Sequence, residues 1–454
     1  MASGSLMDWP DELQLSVLNH LSSHDLTRLS LVNNGFRRLA QPCLYAGIVL
    51  TWSRDQTPPL ALLLRALFER HQLASHVRRL ELLGTGFASN VNLAAVEPPP
   101  LPVSALPAAL AAAHIRATGV SEADQWVQEL QAGACDALVA LLLSMLPNLT
   151  RLQLDSNFTI ESSRIGEVFR CAVQGTQERQ QQQFRLAFLR HVTFARRTHE
   201  WRHRGVNNAA DVLPLFSLPA IESLSVSVDN PVSWPFTLAD SPLLTSLTLF
   251  RLRETRLSFL LPSLKSLKRL HWHCYYHESL DTYASSHVID LDAVAEALHH
   301  VSETLTELVI EPESEPDYLR GEYEPPGREL KGSLGGLAKM RRLQRLEIPW
   351  AFLMGISPDS ALTTDVRLHE VLPPSLEILN LTDGLLDYEL WDWEDDVFVH
   401  GIKAALGSQE ATSSLLGLRS MALPITSHDT DGDSICNELD EMGSQFGIIF
   451  RSYY

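Results

Sequence analysis

One spacing governs the chain from about residue 75 onward: an apolar anchor, two residues, a second anchor, one residue, a third anchor. It occurs ten times, as Val77/Leu80/Leu82, Leu149/Leu152/Leu154, Leu189/Val192/Phe194, Ile221/Leu224/Val226, Leu244/Leu247/Leu249, Leu267/Leu270/Trp272, Leu305/Leu308/Ile310, Leu343/Leu346/Ile348, Leu376/Leu379/Leu381 and Leu418/Met421/Leu423. The middle anchors recur at steps of 23 to 42 residues after a first gap of 72, which is the period of a stacked repeat interrupted by insertions. A single, often polar residue separates the last two anchors, as at Ser225, Thr248, His271, Glu347 and Asn380, and this alternation is that of a half-buried strand. Helix-period stretches lie between the strands, for example Leu138, Leu141, Leu142 and Met145, or Leu291, Val294, Leu298 and Val301 with Asp290 placed to cap them. Strand then helix, repeated, predicts an α/β solenoid: a curved parallel sheet with outer helices.

The length of 454 residues suits such an array, because a single compact core stops growing at roughly 250–300 residues. The 36 Lys and Arg against 55 Asp and Glu leave a net charge of −19, which argues against nucleic acid or an anionic membrane as general partners. The opening MASGSLMDWPDEL has neither the basic nor the apolar segment of a leader, and no apolar run approaches the ~18 residues of a membrane span. Five scattered cysteines form no C-x-x-C pair, so reduced thiols and a cytoplasmic and/or nuclear location are expected.

No phosphate-binding loop, nucleophile elbow or H-E-x-x-H is present, and Gly84-Thr85-Gly86 lacks the third glycine of a dinucleotide fingerprint. No catalytic group and no cofactor are therefore expected. His271, His273, Cys274 and His277 have the look of a metal cluster, but alternation sends His271 and His273 to the open face and Trp272 and Cys274 to the other, so no metal is expected. Asp429, Asp431 and Asp433 begin like a calcium loop, yet Ser434 and Asp440 replace its glycine and its bidentate glutamate, leaving an acidic turn.

Residues 9–45 read as three short helices. Pro10, Asp11 and Glu12 favour a helix start, followed by an apolar stripe of Leu13, Val17, Leu18 and Leu21. Ser22 with Asp25 resembles a capping box before Leu26, Leu29 and Val32, and Phe36, Leu39 and Ala40 make a third turn that Pro42 is expected to end. The string WPDELQLSVLNHLSSHDLTRLSLVNNGFRRLAQPCLY resembles the F-box: Pro10, Glu12, Leu13, Val17, Leu21, Asp25, Leu26, Leu29, Val32 and Phe36 fall on its pattern, while Trp9 and Gly35 depart from it. The resemblance implies docking onto a Skp-type adaptor, and through it a cullin, by Pro10, Leu13, Val17, Leu21, Leu26 and Leu29. A helical cap that merely closes the solenoid is the alternative.

With the repeats, the chain resembles F-box proteins with degenerate leucine-rich repeats. The expected organisation is an F-box at 1–45, a linker helix or strand at 46–74, and a leucine-rich-repeat-like solenoid at 75–454. Insertions at 84–130, 174–183, 312–332 and 355–367 are expected as loops, the Ala-rich part of the first being a candidate helix. The resemblance implies a substrate-recognition subunit of a Skp/cullin/F-box ubiquitin ligase; a repeat scaffold acting outside any ligase is the alternative. Residues between the anchors share the concave strand face, so Arg151, His191, Arg269, His271, His273 and Arg345 are candidate client contacts, joined by Arg196, Arg197 and Arg202 of a basic segment at 185–204. Their charge favours an anionic client such as a phosphorylated protein, although the basic segment also reads as a solvated face paired with acidic loops. The tract Trp391–Asp396 reads either as a partner-binding loop or as tryptophans covering the solenoid edge.

Overall fold

A computed structural model of the chain describes residues 9–84, 99–174, 186–195, 207–231, 234, 238, 240–276, 288–314, 329–354, 368–384, 395–406, 415, 417–424 and 432–452. The chain forms two compact units, Met1–Glu222 and Ser223–Tyr454.

The first unit starts with three short helices, α1 (Asp11–Leu18), α2 (Ser23–Ser30) and α3 (Asn34–Ala46). An acceptor sets each start. The Pro10 carbonyl takes the Leu13 and Gln14 amides, Ser22 Oγ accepts from the Asp25 amide at 3.2 Å, and the Asn33 side chain accepts from the Phe36 amide at 2.8 Å. Leu18, Leu26, Leu39 and Ala40 close a small core, with Leu15, Leu29, Cys43 and Leu44 packed partly against it. Pro42 does not end α3 as the sequence suggested. Its missing amide forfeits one helical hydrogen bond, but residues 43–46 run straight into strand β1 (Gly47–Thr51), whose pairing holds them in place.

β1 pairs in parallel with β2 (Arg79–Leu83), Leu50 beside Leu82. Residues 46–74, expected as a joining segment, therefore begin the sheet, and they carry their own helix, α4 (Leu60–Glu69), with Leu60, Leu64 and Leu67 buried. β3 (Arg151–Leu154) and β4 (His191–Phe194) follow in chain order, with Leu80 beside Leu152 and Leu152 beside Val192. The insertion at 84–130 is not the loop that its prolines suggested. Residues 85–98 lie outside the described residues, but α5 (Ala108–Ala117) and α6 (Ala123–Gln131) form and lead into α7 (Cys135–Ser144). Alanine loses no side-chain entropy in a helix, and the stripe of Ala111, Ala112 and Ile115 is buried; Trp126 is sealed, its Nε1 donating to the Ala137 carbonyl at 3.0 Å.

Charge fixes the next helix, α8 (Ser163–Gln174), against these. The Arg164 side chain is only 5% exposed and its guanidinium meets Glu129 at 2.7 Å and Glu122 and Glu167 at 3.1 Å. Arg164 holds the Glu129 carboxyl below the usual carboxylate range. Asp136, at the start of α7, accepts from the Arg164 amide at 2.7 Å, the Ile165 amide at 3.0 Å and Ser163 Oγ at 3.2 Å.

The second unit holds β5 (Ser223–Ser227), β6 (Ser246–Phe250), β7 (Arg269–Tyr276), β8 (Val288–Asp290), β9 (Glu307–Ser314), β10 (Glu329–Lys331), β11 (Arg345–Pro349), β12 (Ile378–Thr382), β13 (Ser420–Leu423) and β14 (Ile449–Ser452). Eight of them pair in parallel in the order β5-β6-β7-β9-β11-β12-β13-β14, while β8 and β10 make a separate parallel pair. Every residue of the ten anchor triplets is buried. Asp290 caps the helix Leu291–His299 through the Ala293 amide, as its position in the sequence predicted. The ends of the acidic insertion at 312–332 are strand, since β9 runs to Ser314 and β10 occupies 329–331; 315–328 and the whole insertion at 355–367 lie outside the described residues, as does 175–185. Among the described residues no single helix is long and apolar enough to cross a membrane.

Two outcomes follow for the first unit. Arg164→Ala should lower its stability by about 1.5–3 kcal/mol, because it removes a buried guanidinium and its charge-assisted hydrogen bonds while water can reach Glu122 and Glu129 in its place, measured by chemical denaturation. Burial pushes the Asp136 carboxyl up to about 6, above the ~3.9 of an unfolded chain. Below that window both states hold the proton; as pH rises through it the unfolded chain releases its proton first, and stability falls. The stability difference between wild type and Asp136→Asn should therefore shift by up to about 3 kcal/mol in favour of the variant between about pH 4 and pH 6–7, read from denaturation curves across that range.

Candidate functional site

Two surfaces stand out, one in the helical module and one on the strands. Along α1 the side chains at four-residue steps share a face, and Leu13 (54% exposed) and Val17 (38%) are left uncovered there, with Leu21 (36%) uncovered in the turn that follows. Pro10 and Trp9 are exposed at the start of the same row, and Leu31 and Val32 are exposed at the end of α2. Leu26 is a correction. The sequence placed it on the contact stripe, but it sits inside the core with Leu18, Leu39 and Ala40, because α2 turns that side toward α3; Leu29 is half-buried against the same core. Leu31 escaped the sequence reading since it falls between the pattern positions Leu29 and Val32.

On the strands, the residues between anchors lie on the face opposite them in rows set by register, most of them exposed or half-buried but Val309 and Glu347 buried. In the first unit Arg79, Arg151 and His191 lie side by side on β2, β3 and β4; Arg79 and Arg151 are exposed and His191 is half-buried. In the second unit Arg269, Glu307 and Arg345 are neighbours on β7, β9 and β11, with Arg345 Nε 3.9 Å from Glu307. The adjoining row runs Thr248, His271, Val309, Glu347 and Asn380, the Asn380 amide donating to Glu347 at 2.9 Å. Beyond it lie Phe250, His273 and Glu311.

This face corrects the expectation of a basic surface. Glu307, Glu311 and Glu347 interleave with the cations, so His271 and His273 face a carboxylate already: His273 Nδ1 is 2.6 Å and His271 Nε2 3.1 Å from Glu311. His271 first, then His273, hold the Glu311 carboxyl well below the usual carboxylate range. Glu311 was not among the sequence candidates, yet the repeat frame locates it: His273 and Glu311 each follow the third anchor of their copy, Trp272 and Ile310. Trp272 and Cys274 are buried on the opposite side, as alternation predicted, and burial pushes the Cys274 thiol far up. Arg196, Arg197 and Arg202, His277, Asp429, Asp431 and 391–394 of the tryptophan tract lie outside the described residues.

One surface is thus apolar and the other of mixed charge. No curated protein matches the chain. The family model of the F-box domain matches residues 6–43 and that of the leucine-rich repeat domain matches 49–390, which begins inside β1. The chain belongs to the leucine-rich repeat domain family and, with the F-box domain ahead of those repeats, is an F-box/leucine-rich-repeat protein.

Proposed function

We propose that the chain is the substrate-recognition subunit of a Skp/cullin/F-box ubiquitin ligase, supplying recognition and no catalysis of its own. The observation that carries this reading is the uncovered row of Leu13 and Val17 on α1 and Leu21 in the turn after it, beside a core that Leu18, Leu26, Leu39 and Ala40 already close. Apolar side chains left outside a completed core mark a surface made for another protein, and here they coincide with the F-box match. Pro10, Leu13, Val17 and Leu21 are the proposed adaptor contacts, with Leu29 at their border and Leu26 supporting them from within.

Clients are proposed to bind the outward strand rows. Arg151 and His191 in the first unit, and Arg269 and Arg345 in the second, are the basic contacts, helped by Arg196, Arg197 and Arg202. Because Glu307 stands between Arg269 and Arg345, that row suits a client of mixed charge better than a purely anionic one.

Co-purification with a Skp-type adaptor tests the reading. Leu13→Asp with Val17→Asp should remove about 3–6 kcal/mol of apolar contact, which is two to four powers of ten in affinity, while the melting transition of the repeats stays in place. Leu26→Asp should instead unfold the helical module. An adaptor that never binds the wild type leaves a repeat scaffold working outside a ligase, and one that binds the double variant as it binds wild type overturns this row as the contact surface.

A further inference from the structure

The half-buried cluster on the open face of the second unit is built by backbone register. His271 and His273 are two apart on β7 and so point to one face, and Glu311 is the register partner of His273 on β9. In such a ladder neighbouring strands lie about 4.8 Å apart and alternate residues of one strand roughly 6.6 Å apart. The three side chains therefore converge from the corners of a small triangle, and their donor atoms all lie within 4.8 Å of one another.

We propose that His271, His273 and Glu311 form a zinc site whose fourth position faces solvent. Two imidazoles and one carboxylate are a zinc donor set, and bonds of about 2.0–2.2 Å in a tetrahedron hold ligand atoms about 3.4 Å apart. Glu311 now stands 2.6 and 3.1 Å from the two ring nitrogens, so the donors need only part slightly to admit the ion. Calcium and magnesium prefer shells of oxygen, which one carboxylate does not provide.

Three further features suit a ligand. His271 Nε2 is shielded from water and, although close to Glu311, lacks a partner in hydrogen-bonding alignment. Phe250, the register partner of His273 on β6, stacks on its ring at 4.4 Å with the planes 11° apart, which restrains the ring beside Glu311. The three side chains keep 27–37% of their exposure, which leaves water a path to one side of the ion, as in an open rather than a closed zinc site. Cys274 is no rival ligand, since it is buried on the other side of the strand.

The test uses the full chain, stripped with chelator and titrated with zinc chloride in a calorimeter, with cobalt substitution as a spectroscopic readout of tetrahedral coordination. Wild type should take up one equivalent with a Kd of about 1 μM or tighter, equal to about −8 kcal/mol, and its melting temperature should rise with zinc concentration. Glu311→Gln keeps the size of the side chain and His271→Asn keeps a polar group on the strand. Each should weaken uptake by at least about 100-fold, more than an outer-shell change costs, while leaving the metal-free melting temperature close to wild type. His299→Asn, on an exposed helix end, should bind as wild type does. Wild type that takes up no zinc at about 100 μM (a Kd far above the range of a functional site), or variants that retain the tetrahedral cobalt spectrum and the full equivalent, would overturn the proposal and leave a carboxylate bridging two imidazoles. The outcome does not depend on adaptor binding.

Discussion

In each unit, files of apolar anchors stacked in register across parallel strands hold the rest in place. In the first, Leu80, Leu152 and Val192 lie side by side; in the second, Leu224, Leu247, Leu270, Leu308, Leu346, Leu379 and Met421 do the same. Each such side chain contributes about 1.5–3 kcal/mol when withdrawn from water, against an ordering cost of similar size per residue. The favourable balance exists only in one register, because a slip of one residue sends the whole apolar set to the opposite face. That constraint also decides what the other face presents. Arg269, His271 and His273 are outward because Leu270 and Trp272 are inward.

Polar interactions then select where the helices sit. Arg164 on α8 reaches Glu129 of α6 and Glu122 just ahead of it, and Asp136 on α7 accepts from the start of α8, so these groups tie α6, α7 and α8 together. In the second unit Arg253 is fully buried beside Glu254, with Tyr276 beneath its guanidinium at 4.2 Å. Buried charge adds little net stability over an apolar core, but breaking one partner is costly. Such groups therefore penalise alternatives to the native seating more than they strengthen the native state.

Much of this was legible in the sequence, and the failures share a cause. The strands β2 to β7, β9 and β11 to β13 carry the full triplet of anchors and were readable. β1 and β14 were not: β1 offers Ile48 and Leu50 only half-buried, and β14 has an exposed Ile449 and a half-buried Phe450 beside Met421. α6 hid behind a proline-rich approach, although Trp126, Val127 and Leu130 have helical spacing. Leu26 was misplaced because an apolar stripe alone does not say which of its members the neighbouring helix covers. Glu311 was invisible to a search for donors close in sequence to His271, and became adjacent only once the copies were laid over one another.

The junction between helix and sheet carries its own consequence. Ala46 ends α3 and Gly47 begins β1, with the Arg78 amide donating to the Ala46 carbonyl at 2.9 Å. A flexible tether would let a held molecule sample many orientations, at the entropic cost of each closure. Here the last turn of α3 is the root of the first strand, so the three helices and the sheet of the first unit form a lever. If a client is held by Arg151 and His191 as proposed, it stands at a set bearing to a partner on α1, and only those of its surface groups that fall within reach of that partner's assembly are acted on. Selectivity among sites on one client would then be a matter of angle rather than of affinity.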